Sequence, residues 1–314
     1  MKQRAFGNSG LMTSIVGLGG NNFGGRIDFD ASRAVIHKAL DLGITLFDTA
    51  DVYPMGKFGV SEEYLGRVLG ARRKDLVYAT KFGHARDDKS EPPGASRHHI
   101  ISAVEASLKR LNTDWIDLYQ IHQPDPRTPI EETLRALDDL IRDGKVRYIG
   151  CSNFASWQVV DSLWTSRHLG INVLVSCQDE YSLLVRGIER ELIPAMQANG
   201  LGLMPYFPLA SGVLTGKYRR NMPAPEGARL AQAPALSNRF MTDANLQRVE
   251  RFERFCAERG HSLLELAFSW LLAHPVVTSV VAGASTPEQL ALNVHAVNWV
   301  LSSQDMADVD VIAA

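Results

Sequence analysis

Short apolar runs rich in β-branched residues alternate with longer amphipathic stretches along the whole chain. That alternation predicts repeated βα units around a parallel sheet. The predicted strands cover 14–18, 45–48, 76–80, 116–121, 146–151, 173–177, 202–205 and 278–282. Helices are predicted over 31–42, 62–69, 98–111, 130–142, 157–168, 189–199, 244–259, 263–273 and 287–297, with another from 304. Asp30 and Ser61 suit N-caps, Pro129 suits a first helical turn, and Gly43, Gly70 and Gly200 follow C-termini. Eight units without a break in composition predict an α/β fold: one (β/α)8 TIM barrel domain over 1–314. Segment 2–12, turning at Asn8-Ser9-Gly10, predicts an N-terminal β-hairpin. Two long loops, 84–96 and 210–238, fall after the third and seventh strands, on the C-terminal rim. Loops of that length are functional or mobile, and 219–238 is expected to order around a bound molecule. Asp87-Asp88-Lys89 within the first of them reads as a solvated turn.

Composition narrows the partners. The 314 residues are 45% hydrophobic and 22% charged with a net charge of -2, and neither a basic tail nor a long single-sign block occurs. Nucleic acid and anionic membrane surfaces are therefore not expected as main partners. No apolar run approaches the length of a membrane span, and the first residues lack an apolar signal core. The expected location is the cytoplasm. Cys151, Cys177 and Cys256 are odd in number, widely spaced and without a CxxC. They read as buried thiols rather than a disulfide framework or a zinc site, and no metal is expected. The sequence leaves oligomeric state open, a homo-oligomer included.

The chemistry sits at strand ends. Asp48 ends the second predicted strand and Tyr53 follows five residues later; Lys81 follows the third, His122 the fourth, and Ser152-Asn153 the fifth. Each alone has an ordinary explanation as a cap or a surface charge. Together they fall at the end of a parallel barrel where active sites are built. The set suits carbonyl reduction, because hydride addition leaves an alkoxide that needs a proton. Tyr53 can donate it, although a phenol of pKa about 10 is a weak acid at neutral pH. Lys81 is expected to lower that pKa, Asp48 to hold Lys81 in place, and His122 to orient the substrate oxygen.

These segments resemble the aldo-keto reductase family, in the pattern of its bacterial and potassium-channel-β-like branch. The resemblance is carried by Phe47-Asp48-Thr49-Ala50-Asp51-Val52-Tyr53, Ala79-Thr80-Lys81, Leu118-Tyr119-Gln120-Ile121-His122 and Gly150-Cys151-Ser152-Asn153-Phe154. It continues through Gln178-Asp179-Glu180-Tyr181-Ser182, Tyr206-Phe207-Pro208-Leu209, Leu214-Thr215-Gly216-Lys217-Tyr218 and Gly283-Ala284-Ser285-Thr286-Pro287-Glu288-Gln289. It implies a catalytic tetrad of Asp48, Tyr53, Lys81 and His122, a small carbonyl substrate, and a nicotinamide cofactor bound without a Rossmann fold. By family position Ser152, Asn153 and Gln178 hold the carboxamide and Tyr206 stacks on the nicotinamide. Leu209, Gly212 and Lys217 line the diphosphate, and Gly283, Ser285, Gln289 and Asn293 hold the adenosine end.

Three departures stand out. Residues 283–293 contain no Lys or Arg for the 2′-phosphate of NADP, with Gln289 where an Arg is common. Some relatives with Gln there still prefer NADP, as the potassium-channel β subunits do, so the resemblance favours NADP(H) over NAD(H). Leu292 stands where a Glu often meets the adenine, and Pro54 follows Tyr53 where Gly is usual. The neutral 283–293 segment keeps an NAD-dependent sugar or pyridoxal-type dehydrogenase as an alternative, and a nucleotide-sensing regulatory subunit as a third. Phe23, Met55, Phe82, His84 and Phe154 are the candidate pocket residues.

Overall fold

The alternation of inward and outward side chains is visible strand by strand in the computed structural model, which describes residues 1–85, 93–220 and 222–313. The 87–89 turn lies outside the described residues. Two short strands, β1 (Gln3–Ala5) and β2 (Met12–Ser14), form an antiparallel hairpin. Eight parallel strands follow: β3 (Val16–Gly19), β4 (Leu46–Asp48), β5 (Val77–Phe82), β6 (Ile116–Ile121), β7 (Val146–Ser152), β8 (Leu174–Glu180), β9 (Gly202–Tyr206) and β10 (Val280–Ala282). They pair in chain order, with β10 beside β3. The remaining seam closes below β10, where Leu203 donates to Val276 at 2.7 Å and accepts from Thr278 at 2.9 Å. The predicted TIM barrel and hairpin are thus the observed ones.

Helices α1 (Phe29–Asp41), α2 (Val60–Leu69), α3 (Arg97–Leu111), α4 (Ile130–Arg142), α5 (Ser156–Leu169) and α6 (Leu192–Asn199) each link successive strands. Helices α7 (Pro234–Phe240), α8 (Asp243–Glu258) and α9 (Leu263–Ala273) separate β9 from β10, and α10 (Pro287–His295) and α11 (Ser303–Ala313) complete the chain. Several boundaries differ from expectation. Asp28, not Asp30, caps α1 by accepting from Ala31, and Phe29 packs edge-on against Tyr64 at 5.1 Å. Gly59 in the left-handed region precedes α2, while the Ser61 hydroxyl donates to Gly20 and accepts from Thr49. The sixth helix begins at Leu192 rather than 189, after a short 3-10 turn. The stretch 210–238 is not wholly loop, since α7 starts within it at Pro234. Met12 to Ser14 pair with the hairpin rather than the barrel.

The barrel interior has two tiers. Its lower part is apolar: Phe6 and Leu11 of the hairpin pack against Leu46, Val77, Ala79, Leu118, Met204 and Val281. The hairpin is fastened there by the Arg4 guanidinium, which donates to the Leu272 and Val277 carbonyls at 2.8 and 2.7 Å. The upper tier is polar, with Asp48, Lys81, Gln120, Ser152 and Gln178 all buried. A second and larger apolar layer lies between the strands and the surrounding helices. Among the described residues, no helix is long and apolar enough to cross a membrane.

Burial of Phe6 in the floor of the barrel makes it a stabilising plug. Phe6→Ala is expected to cost about 3–5 kcal/mol in urea unfolding, as large-to-small core changes do. Met12→Ala in the same hairpin, at a side chain 48% exposed, is expected to change stability by no more than about 0.5 kcal/mol.

Candidate active site

Lys81 organises the upper tier. It stands near the end of β5, is fully buried, and places Nζ 2.8 Å from both carboxylate oxygens of Asp48 and 2.8 Å from the Thr49 carbonyl. An ammonium has three donors and no acceptor, so these three acceptors saturate it. Burial pulls the Lys81 pKa down and the Asp48 charge opposes that pull. Asp48 also accepts from Gln178 Nε2 at 2.9 Å. That bond crosses the barrel, because β4 and β8 are not neighbours in the sheet.

The network continues around the rim. Ser152 Oγ donates to the Gln178 carbonyl at 2.8 Å, and Asn153 Nδ2 donates to the His122 carbonyl and to Ser152 Oγ, each at 3.0 Å. Asn153 adopts a left-handed φ of 61°, which Asn tolerates better than most residues. Its Oδ1 accepts from the Tyr206 hydroxyl at 2.8 Å. Asp48, Lys81, His122, Ser152, Asn153, Gln178 and Tyr206 are therefore brought together by one hydrogen-bonded set.

Tyr53 projects from the turn after β4. Thr49 N and Asp51 N bond the carbonyls of Ala79 and Lys81, at 2.8 and 3.0 Å, and Ser61 N bonds the Tyr53 carbonyl at 3.1 Å. The Tyr53–Pro54 peptide is cis. The Tyr53 ring centroid lies 5.3 Å from Lys81 Nζ and 5.8 Å, edge to face, from the His122 ring. Gly24 and Gly25, in the loop after β3, let that loop close onto this turn: a Cβ on Gly25 would sit 2.9 Å from Pro54 Cβ. The reading of these glycines as loop-shaping, rather than a dinucleotide fingerprint, agrees with this contact.

The expected lowering of the Tyr53 pKa does not occur here. Burial and the Asp48 charge push it above the ordinary phenol value, opposed mainly by Arg229. Lys81 stands in contact with Asp48, whose own charge is one of the causes that raise the phenol. His122 is held well below the usual imidazole range by burial, and further by the charges of Lys81 and His84. Its Nδ1 is buried without a hydrogen-bond partner among the described residues, and the His84 ring lies 4.7 Å away.

The pocket divides differently from expectation. Phe23 and Phe82 are fully buried, Phe82 stacking on Tyr119 at 4.8 Å, and Phe154 joins the same outer core. Met55 is exposed and His84 half-buried, so only these two of the five face the rim.

After β9 the backbone turns sharply. Phe207, Ala210, Ser211 and Gly212 all have φ between 45° and 95°, and Ser211 Oγ is buried without a partner among the described residues. The turns are held by their own backbone, with Ala210 N bonding the Phe207 carbonyl and Gly212 N the Leu209 carbonyl, each at 2.8 Å, which leaves the buried Ser211 hydroxyl and Lys217 as polar groups for an anion. Leu209 accepts from Gly212 N, and Lys217 Nζ lies 3.3 Å from where a Cβ on Gly212 would stand. On the far side, Thr286 caps α10, Gln289 Oε1 accepts from Ser285 N at 2.9 Å, and Asn293 is buried. Gly283 lets Asn21 and Asn22 of the first loop approach closely, their atoms standing 3.4 and 3.2 Å from where a Cβ would be. The expected cofactor residues thus form a rim and an outer group, joined through the first loop. A nicotinamide dinucleotide fits this set, since it pairs amide donors and acceptors around Asn153 and Gln178 at one end with the exposed Lys217 and the amides of 283–293 further out. Among the described residues no cluster of three or more His, Cys, Asp or Glu could hold a metal ion.

Two cations escaped the sequence reading. Arg229 lies over the Phe207 ring, 5.0 Å from its centroid, and its charge reaches Tyr53. Arg26 bears electrostatically on both Lys217 and Arg229. Isolated basic residues in loops carry no periodic signal; the only hint was their place in rim loops.

A TIM barrel that gathers a phenol, an imidazole and a buried lysine–aspartate pair at its C-terminal mouth is built as a barrel enzyme. Comparison with known proteins defines it further: the chain belongs to the aldo/keto reductase family of oxidoreductases, which it matches over residues 15–314. A probable voltage-gated potassium channel subunit beta of Oryza sativa is 36% identical, over 95% of this chain and 92% of that protein. The uncharacterized oxidoreductase YrpG of Bacillus subtilis is 36% identical over 97% and 93%. The L-glyceraldehyde 3-phosphate reductase of Escherichia coli is 35% identical over 99% and 92%.

Asp179, next to Gln178, is buried with Oδ2 unpartnered among the described residues, and burial pushes its pKa up to about 8. An unfolded Asp titrates near 3.9. Between about pH 4 and pH 8 the native state keeps a proton that the unfolded chain has released, so stability falls as pH rises through that window. The slope is up to about 1.4 kcal/mol per unit and vanishes above the folded pKa. Asp179→Asn is expected to remove it, so that its Tm advantage widens from about pH 5 to about pH 8 in parallel melts. A constant or narrowing gap would contradict this.

Proposed function

We propose that this protein is an NADPH-dependent reductase of small aldehydes or ketones. The observation that carries the reading is the continuous hydrogen-bonded set from Asp48 and Lys81 to Asn153 and Tyr206, with the Tyr53 turn closing over it. Ser152, Asn153 and Gln178 would hold the carboxamide, Tyr206 the nicotinamide face, Leu209, Gly212 and Lys217 the diphosphate, and Gly283, Ser285, Gln289 and Asn293 the adenosine. The bound nicotinamide supplies the hydride.

The protein's own groups manage the proton. Tyr53, whose raised pKa keeps it protonated at neutral pH, donates from its hydroxyl as negative charge develops on the substrate oxygen. His122 is uncharged at neutral pH, so it orients that oxygen without competing as an acid. Lys81 fixes Asp48 and the turn bearing Tyr53, and Arg229 is the cation whose charge favours the phenolate that remains. The name of the Escherichia coli relative, a reductase of an aldehyde phosphate, supports the direction of reaction. The name of the rice relative supports a second reading, a regulatory subunit, which a stable complex with a membrane channel would establish.

Tyr53→Phe is expected to lower kcat on the order of 10²-fold or more while leaving the NADPH dissociation constant nearly unchanged. Full activity in that variant, with an aldehyde panel as substrates, would remove Tyr53 from the role of proton donor.

A further inference from the structure

Helix α5 carries tryptophan on the side it turns to water. Its inner face buries Val159, Ser162, Leu163 and Ser166. Trp157 and Trp164 stand on the other side, 68% and 63% exposed. The remaining three tryptophans are covered: Trp270 is fully buried, and Trp115 and Trp299 are half-buried. A spacing of seven residues is about two helical turns, so Trp157 and Trp164 share one stripe, roughly 10 Å apart along the axis. Single apolar side chains on a surface need no explanation, but two indoles on one stripe mark an interaction surface.

The charges on the stripe say what covers it. Asp161 lies three residues before Trp164 and Arg167 three residues after it, both exposed. Among the described residues neither makes an ion pair; the Arg167 guanidinium donates to Asn199 Oδ1 at 3.1 Å and lies 5.6 Å from the Trp164 ring centroid. A two-fold contact is self-complementary, so one centred on Trp164 with the helices antiparallel sets each position before it against the matching position after it. The two Trp164 rings then meet at the axis, and each Asp161 faces Arg167 of the second copy. Val160 and His168, four residues to either side, meet without opposing like charges. Trp157 falls beside Gly170 of the second copy, the left-handed cap of α5, where a Cβ would find nothing within 4 Å and an indole has room. An acid and a base placed symmetrically about Trp164 make this face complementary to itself. An anionic lipid surface would instead repel the Asp161 carboxylate. Four indoles burying on the order of 150 Å² each supply roughly 600 Å². That is about half of what a stable interface needs, and α4 and α6, which flank α5, supply the rest.

We propose that α5 is the face through which two copies of this chain associate, packed antiparallel about a two-fold axis at Trp164 with reciprocal Asp161–Arg167 pairs. The inference is independent of the proposed activity, since Trp157, Asp161, Trp164 and Arg167 lie on the outer helical layer and take no part in the hydrogen-bonded set at the barrel mouth.

The test is sedimentation of the full chain by analytical ultracentrifugation over about 1 to 100 μM, because association depends on protomer concentration. The parent is expected to be a dimer, or a larger even-numbered assembly, whose mass Trp164→Ala halves. Asp161→Arg and Arg167→Asp each set like charges against one another at both ends of the contact, and each is expected to weaken association about 10-fold or more. The double swap Asp161→Arg/Arg167→Asp restores opposite charges and is expected to return within about 3-fold of the parent. Native far-UV circular dichroism in each variant separates lost association from lost folding. Trp157→Ala and Trp164→Ala, at exposed side chains, keep the test decisive where a charge swap fails to fold. A parent that stays monomeric overturns the proposal, as does an assembly indifferent to Trp164→Ala or a folded double swap that fails to reassociate. A monomer that binds anionic phospholipid vesicles through Trp164 would also overturn it and assign the stripe to a lipid surface.

Discussion

A lysine ammonium buried inside a barrel is the constraint to which the rest of this structure answers. Removing such a charge from water costs several kcal/mol unless it is paired and fully hydrogen-bonded. Lys81 meets that condition with three acceptors, two from Asp48 and one from the Thr49 carbonyl. Asp48 in turn requires β4 to end where it does and draws Gln178 across the barrel. The turn that begins at Thr49 is thereby fixed, and Tyr53 rides on it. Removing either charged partner would strand the other, so structure and site share the same few bonds.

That upper tier is affordable only above a dry floor. The hairpin closes the lower mouth with Phe6 and Leu11, and Arg4 ties it to the segments around the closing seam. Apolar packing below and a hydrogen-bonded polar network above divide one barrel into a stabilising half and a half that bears the polar site. Such a division is general to the fold, whose C-terminal face carries the activity and whose opposite face carries stability.

Much of this was legible in the sequence, and the parts that were not have physical reasons. The strands and most helices follow from periodicity, because each unit must bury one face against its neighbours. Helix caps followed less well. Asp28 rather than Asp30 caps α1, and Ser61 joins two loops instead of capping, since docking decides which hydroxyl or carboxylate meets a free N–H. Strand-end Phe residues could not be placed, because barrel strands are apolar on both faces and give no parity signal; Phe82 proved to face the helices. The side chains of Asp48, Tyr53, Lys81 and His122 stand close together, but their electrostatics differ from expectation. Proximity of Lys81 to Tyr53 suggested an acidified phenol, whereas burial and the charge of Asp48 raise its pKa. Arg26 and Arg229 carried no pattern at all.

The contact between Gly25 and Pro54 has a consequence for how such a protein can diversify. The loop that ends in Arg26 leans directly on the turn that carries Tyr53, with no space for a side chain between them. Insertions or bulkier residues in that loop cannot be absorbed locally; they displace the turn. Drift in the first loop is therefore filtered by selection on turnover, and the two loops are expected to change in concert across a lineage rather than one at a time.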